Sequence, residues 1–344
     1  MKKLVIYPYE LVSESGKLLA ETFNAKKVRP DGNYRPQNDE IILNWGMSET
    51  PNWEGMVGNI KVINHWDAIK VSVNKLKTFE KLKAAGVNIP LFSTKVDDAR
   101  QWIQNGDIIV CRKILCGSQG DGIVICKNLE ELNIAAPDTK MFVRYFKRKK
   151  EFRVFVANGE IFDFSEKKKK EDFADQHNTF VRNLAGGYIF ARQNVVLPEI
   201  VKQQSIAAAT ALNLQITAID IGYNESQNLA VVFEANCSFA FDAGTTTFES
   251  VKKIINKYLE INENPIPAAI IASPRIEVAP IITPANQLHK NKLKDEIYKL
   301  NGITEIEFRS VNNTLRVYGK VAGRNNLIKI LEINNPEISH FWED

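Results

Sequence analysis

The stretch Ile216–Ser238, ITAIDIGYNESQNLAVVFEANCS, limits what this chain can fold into more than any other. Two apolar runs flank a polar turn around Gln227, a pattern that reads as a β-hairpin. Asp220 and Glu234 each lie seven residues from Gln227, so the hairpin sets them side by side. Glu234 and Asn236 are two apart on one strand and share a face. Directly opposed carboxylates repel. Glu234 also interrupts the apolar run Leu229–Ala240, where an unpaired carboxylate is costly. A hard divalent cation removes both difficulties, because Mg²⁺ takes carboxylate oxygens, tolerates an amide oxygen and keeps phosphates as its remaining ligands. The alternative is an edge hairpin with solvated acids.

At 344 residues, 44% hydrophobic and 25% charged, the chain is long enough for two or three domains with a proper core. No apolar run approaches the ~20 residues that span a membrane, and the opening MKKLVIYPYE is too short in its apolar part for a signal peptide. Cys111, Cys116, Cys126 and Cys237 form no CxxC pair and each lies in or beside an apolar strand. They read as small buried hydrophobes in a reducing cytoplasm, and no zinc site is expected. The net charge of +4 is unevenly placed: the segment 144–170 holds ten basic and four acidic residues. Such a local field attracts polyanions, whether nucleotide or nucleic acid.

Taken in order, KLVIY (3–7), a helix over Ser13–Phe23 and IILNW (41–45) form a small α/β domain of residues 1–70. His65 reads as a turn or packing histidine. Residues 72–86 predict an amphipathic helix with Leu76, Phe79, Leu82 and Ala85 on one face, capped by Ser72 or Asn74. A strand near Leu91–Thr94, a helix Asp97–Asn105 and a strand Asp107–Ile114 follow. Next comes the glycine-rich loop GSQGDG (117–122), then a strand at Ile123–Cys126. This strand–loop–strand is not a P-loop, since no GK[ST] and no helix follow, but its glycines let backbone N–H groups approach a phosphate. Met141–Phe146 is a strand, and a hairpin turns at Asn158-Gly159. The run Lys167–Lys170 is assigned to a loop, with Lys168–Lys170 solvated. Helices over 198–212 and 248–260 bracket the central hairpin, and Pro265, Pro267 and Pro274 mark a linker. Residues 275–344 predict a ferredoxin-like α+β module: strand Arg275–Ile282, helix Gln287–Leu300, strands Glu305–Ser310 and Thr314–Val321, and a short helix near Asn325–Leu331.

These signals, in this order, resemble the ATP-grasp superfamily of carboxylate–amine ligases across residues 60–262. They are nearest to ribosomal-protein glutamate ligases, glutathione synthetase and D-alanine–D-alanine ligase. The amino-terminal part, YPYE with a strand ending LNWG, looks like ATP-grasp proteins encoded by bacteriophages. The resemblance implies an ATP-grasp fold of mixed α/β and α+β class. Its central subdomain would cover 71–140 with the glycine flap, and its carboxyl-terminal subdomain 141–264 with the metal site.

The resemblance also implies roles. Lys75 contacts nucleotide; Lys113, or Arg112 in its place, holds the α/β-phosphates; Gly117, Ser118, Gln119 and Gly120 form the flap. Val143, Arg144, Tyr145 and Phe146 form the hinge whose backbone meets adenine; Glu151 stands where the glutamate ligases have the aspartate of a D-x-R pattern, so Arg153 is the better-supported member of that pair. Arg182 and Asn183, in VRNLAGG, face the phosphates and acyl group; Asp220, Glu234 and Asn236 hold Mg²⁺, with Mn²⁺ as an alternative. The implied reaction is activation of a carboxylate by ATP as an acyl phosphate and its transfer to an amine. Substrates would be small molecules, peptides or modified nucleotides; a homodimer is one open arrangement, and the site of action is the cytoplasm, the host's if phage-encoded. One departure is the CSFAFD that follows Asn236, where the ligases have a small-residue-Pro-Gly turn. The rival readings are an ATP-grasp kinase that forms no amide, a degenerate non-catalytic member, and a nucleic-acid module. The last would use KRKK and KKKK with Tyr145, Phe146, Phe152 and Phe155, and is disfavoured by the strand-like alternation of those aromatics.

Overall fold

The strand Lys3–Pro8 (β1) opens a four-stranded parallel sheet in the computed structural model. The structure describes residues 2–117, 120–173 and 177–260, and the backbone of three strands at 303–311, 314–321 and 327–334. The helix Glu14–Thr22 (α1) follows, its first turn capped by Ser13, whose hydroxyl accepts from Gly16 N at 3.3 Å. Lys26–Lys27 (β2), Glu40–Trp45 (β3) and Lys61–Ile63 (β4) complete the sheet in the order β2-β1-β3-β4. All six residues of β3 are buried, as strands covered on both faces require.

The expected single helix over 72–86 is instead two. Trp66–Val73 (α2) begins at His65, whose Nδ1 accepts from Asp67 N, and Lys75–Ala84 (α3) begins at Asn74. Asn74 is extended (φ −95°, ψ 108°) and caps with its own side chain, which breaks the helix there. Ser72 lies in α2, Phe79 and Leu82 are buried as predicted, and Ala85 is exposed.

Phe92–Ser93 (β5), Val96–Gln104 (α4), Ile109–Arg112 (β6), Ile123–Cys126 (β7), Leu129–Ala135 (α5) and Met141–Arg144 (β8) form an antiparallel sheet in the order β5-β8-β6-β7. Helix α5 had no sequence assignment. Helices α4 and α5 pack on one face over Ile109, Cys111, Cys126 and Phe142, and Phe79 of α3 meets Met141 and Val143 on the other. Cys111, Cys126 and Cys237 are buried as expected, but Cys116 is exposed because it sits in the turn beyond β6 rather than on a strand.

Lys150–Ala157 (β9), Glu160–Lys169 (β10), Tyr188–Ala191 (β11), Glu199–Leu212 (α6), Ile216–Asn224 (β12), Leu229–Asn236 (β13) and Thr246–Glu260 (α7) supply the second antiparallel sheet, ordered β11-β10-β9-β12-β13. Asn158 and Gly159 turn the β9–β10 hairpin with φ of 51° and 82°, the two positive values that a tight hairpin turn needs. The outer face, with Phe152, Val154, Ile219, Ile221 and Val232, packs on α6, α2 and α3. At one end of the inner face, Phe155, Ala157, Ile216 and Ala218 join β1, β3 and α7 in a second core. At the other end the inner face is charged.

Two corrections follow from strand alternation. The Lys167–Lys170 run is not a loop: β10 carries it to Lys169, and Asp163, Ser165 and Lys167 are buried on one face at period two. The short helix expected near Asn325–Leu331 is also a strand.

Contacts divide the chain at residue 262 into two units. In the second, Ile303–Val311 (β14), Thr314–Val321 (β15) and Leu327–Asn334 (β16) form an antiparallel meander. The β-branched content of LIKILEIN favours the extended form. The expected strand at 275–282, helix at 287–300 and proline linker lie outside the described residues. Among the described residues, no helix is long and apolar enough to cross a membrane.

Candidate active site

The β12–β13 hairpin pairs Asp220 directly with Glu234, as the sequence symmetry about Gln227 implies. A β-bulge produces that register: Ile221 faces Val232, so Phe233 is the extra residue. Phe233 and Glu234, consecutive in sequence, therefore both line the same cleft. Gly222 makes this geometry fit, since a Cβ there would lie 2.7 Å from Cε2 of the Phe233 ring.

The repulsion between the two acids is relieved by the protein's own cations. Arg153 Nε and Nη2 donate to both oxygens of Asp220 at 2.7 and 2.8 Å, and Lys167 Nζ adds a third contact at 2.9 Å. Lys167 also donates to Glu151 at 2.8 Å, and Arg148 closes the network on the other Glu151 oxygen. Lys75, buried at the start of α3, reaches Glu234 at 3.0 Å, and Asn236 Nδ2 donates to the remaining Glu234 oxygen at 3.1 Å. Burial alone would raise the Asp220 carboxyl, but Arg153 and Lys167 hold it well below the usual carboxylate range. Burial likewise opposes ionisation of Glu234, and Lys75 overrides it to keep that pKa depressed. The same contacts raise Arg153 and Lys167 against the effect of their own burial.

These groups form the floor of a cavity of about 470 Å³ between the two antiparallel sheets. Lys75, Arg112, Arg144, Arg148, Arg153, Lys167 and Arg182 line it, against Asp121, Glu151, Asp220 and Glu234. The cavity thus carries a surplus of positive charge over apolar walls such as Phe79, Val143 and Phe190, which suits an anionic ligand with a flat ring.

Arg112 and Lys113 are placed differently. They alternate across the end of β6: Arg112 lines the cavity, whereas Lys113 turns to Asp138 at 3.2 Å, outside it. Burial lowers the Arg112 pKa, opposed by Glu234, and its Nε is buried without a hydrogen-bond partner.

Gly117 and Gly120 line the cavity; Ser118 and Gln119 lie outside the described residues. Gly120 (φ +91°) brings the flap against Val181, where a Cβ would come within 2.9 Å. Val143, Arg144, Tyr145 and Phe146 all line the cavity, and the N–H groups of Arg144 and Tyr145 already donate to Leu91 and Ile108. Only Val143 and Arg144 of this stretch belong to β8, so the strand expected over Met141–Phe146 ends early.

Arg182 and Asn183 line the cavity too. Arg182 donates to the carbonyls of Lys149 and Arg148 at 3.2 and 3.0 Å, while its buried Nε has no partner. Lys167, Arg148, Phe190 and Phe233 also line the cavity, and no motif in the sequence marks them. Lys167 was legible in the alternation Asp163, Ser165, Lys167, which the tetralysine run masked.

Part of the basic runs is paired within the protein, and the aromatics between them are in part core residues. Arg148, Lys150 and Lys167 are engaged by Glu151, Glu225 and Asp220, and Phe152 and Phe155 are core residues at 0% and 3% exposure.

Among the described residues no cluster of three or more His, Cys, Asp or Glu side chains could hold a metal. The donor set here is two carboxylates and an amide, which fits a hard cation that keeps phosphate oxygens as its other ligands. Asp220, Glu234 and Asn236, on adjacent strands, are the residues whose chemistry would suit such a cation.

Two antiparallel sheets closing on such a cleft are the ATP-grasp architecture. The ATP-grasp ligase PsnB complexed with minimal precursor aligns with a TM-score of 0.53 at 14% identity, over 74% of this chain and 99% of its own. D-alanine–D-alanine ligase from Bacillus anthracis gives 0.53 at 14%, over 76% and 96%. A RimK domain ATP-grasp protein from Sphaerobacter thermophilus gives 0.53 at 13%, over 74% and 98%. A search of curated proteins gave no match. The profile of the RimK-like ATP-grasp domain matches residues 72–259, more than half of the sequence, and the chain belongs to that family.

Proposed function

We propose that this chain is an ATP-dependent carboxylate–amine ligase releasing ADP and phosphate. The observation that carries the reading is the convergence of Arg112, Lys75 and Arg153 on the Asp220–Glu234–Asn236 set in one cavity, beneath the flap at Gly117 and Gly120. Arg112 and Lys75 supply positive charge for the phosphates, and Glu234, Asp220 and Asn236 are the residues that would hold Mg²⁺. The cation would neutralise charge on the phosphate oxygens. PsnB, an ATP-grasp ligase of similar fold, has a structure with Mg and ADP.

In the proposed reaction a carboxylate oxygen attacks the γ-phosphorus and ADP leaves. An amine then attacks the acyl carbon and expels phosphate, losing one proton. Both steps build negative charge on oxygens, so fixed cations matter more than a nucleophilic side chain. Arg153 and Arg182 are assigned to orient the acyl group and the transferring phosphoryl group.

The test is ADP release against a panel of amino acids, polyamines and peptides, with mass spectrometry of the products. Ligation predicts ADP formation that requires both a carboxylate and an amine, with a product heavier by the amine less water. A stable phosphorylated product that gains nothing from added amines would overturn ligation in favour of a kinase.

A further inference from the structure

As a metal ligand Asp220 presents a difficulty: Arg153 and Lys167 already engage both of its carboxylate oxygens. Oδ2 accepts from both Arg153 and Lys167, so a divalent cation that binds through Oδ2 has to exchange with one of them. The two are not equally replaceable. Arg153 holds Asp220 through two parallel hydrogen bonds, the geometry in which a guanidinium binds most firmly. Lys167 offers one ammonium and already has a second carboxylate, Glu151, at 2.8 Å. Its departure from Asp220 therefore leaves it paired, while departure of Arg153 would leave a half-buried guanidinium without its carboxylate. Lys167 is itself almost fully buried, so it has no route to compensation by water.

We infer that Lys167 is a place-holding cation, a positioning residue that neutralises Asp220 in the metal-free protein and yields that oxygen when a divalent cation enters, keeping its bond to Glu151. The inference rests on the proposed role of Asp220 as a metal ligand. It goes further by assigning a competitor to the metal from within the chain. Entry of metal then does two things at once: it fills the position opposite Glu234, and it releases positive charge toward the anionic contents of the cavity. Binding of metal and of an anionic substrate are coupled through this one side chain.

The experiment is calorimetric titration of Mg²⁺ into protein saturated with a non-hydrolysable ATP analogue, for wild type, Lys167→Met and Lys167→Arg. Removing the competitor predicts that Lys167→Met binds Mg²⁺ several-fold more tightly than wild type, although its turnover falls. It also predicts a larger Mg²⁺-induced rise in Tm, since metal restores the neutralisation the variant has lost. Lys167→Arg, which keeps the charge and grips carboxylate better, predicts weaker Mg²⁺ binding; this arm decides the matter if Lys167→Met does not fold. Unchanged or weakened Mg²⁺ affinity in folded Lys167→Met, or tighter binding in Lys167→Arg, overturns the inference while leaving ligation intact. Wild type that binds the analogue with no dependence on Mg²⁺ overturns both this inference and the metal assignment beneath it.

Discussion

Along β9 and β12 one face of one sheet changes character between neighbouring inward positions. At Phe155, Ala157, Ile216 and Ala218 it is apolar, sealed beneath α7 and strands β1 and β3. Two residues further, at Arg153 and Asp220, and again at Glu151, it is charged and forms the cavity floor. The backbone pairing is the same in both halves, with Ala218 opposite Phe155 and Asp220 opposite Arg153. Burial of the apolar half stabilises the fold directly. Buried ion pairs contribute little over apolar residues of similar size, so the charged half is better explained by what it binds than by what it stabilises.

The sharpest contrast comes from substituting each half in turn. Phe155→Ala, which removes an edge-on ring contact with Phe239 at 5.1 Å, is expected to cost about 3–5 kcal/mol of stability, read as a fall in denaturant midpoint. A loss below 1 kcal/mol would mean that this half is not a core. In the charged half, Arg112→Ala is expected to lower turnover by roughly two to three orders of magnitude, about 2.7–4 kcal/mol, with the fold intact. Lys113→Ala should stay within about 0.5 kcal/mol of wild type in stability and keep near-normal turnover. Steady-state kinetics on the pair decide which side of β6 meets the phosphates.

Gly222→Ala tests the bulge that joins the halves. Its Cβ would press on Phe233, and overpacking of that kind costs about 1–3 kcal/mol; with Glu234 displaced, turnover should fall by more than stability alone explains. The smallest effect is expected with acid. Asp220 and Glu234 are depressed in the folded protein, so the stability they confer is present above the unfolded values of about 4 and is lost as pH falls toward the folded ones. The Tm of wild type should therefore drop below about pH 4, and that of Asp220→Asn should drop less over the same range. Equal slopes would remove Asp220 from the account.

The two halves also differ in how far the sequence discloses them. The apolar strands and the Asp220–Glu234 pairing follow from alternation and from symmetry about Gln227. The bulge at Phe233 does not, because one inserted residue leaves no mark on composition. Lys167 was hidden for another reason: four consecutive lysines look solvated, although alternation along β10 puts Lys167 on the buried face with Asp163 and Ser165, beside Asp220, and Lys168 on the other. The opposed acids suggested a divalent cation, yet Lys75, Arg153 and Lys167 neutralise them, and those three lie on three separate elements that only the tertiary fold unites. The replacement of a Pro-Gly turn by CSFAFD also has a physical reading, since Phe239 and Phe241 pack on Trp45 at 4.9 and 5.7 Å and anchor the segment after Asn236.

The most direct test of the charged half is the Mg²⁺ dependence of nucleotide affinity in wild type and in Glu234→Gln, which keeps the side-chain volume and removes the charge. Titration of a non-hydrolysable ATP analogue should show tighter binding with Mg²⁺ in wild type, and that gain should vanish in a folded Glu234→Gln protein. An equal gain in both proteins would contradict the proposal that this pair of strands grips a nucleotide-bound cation.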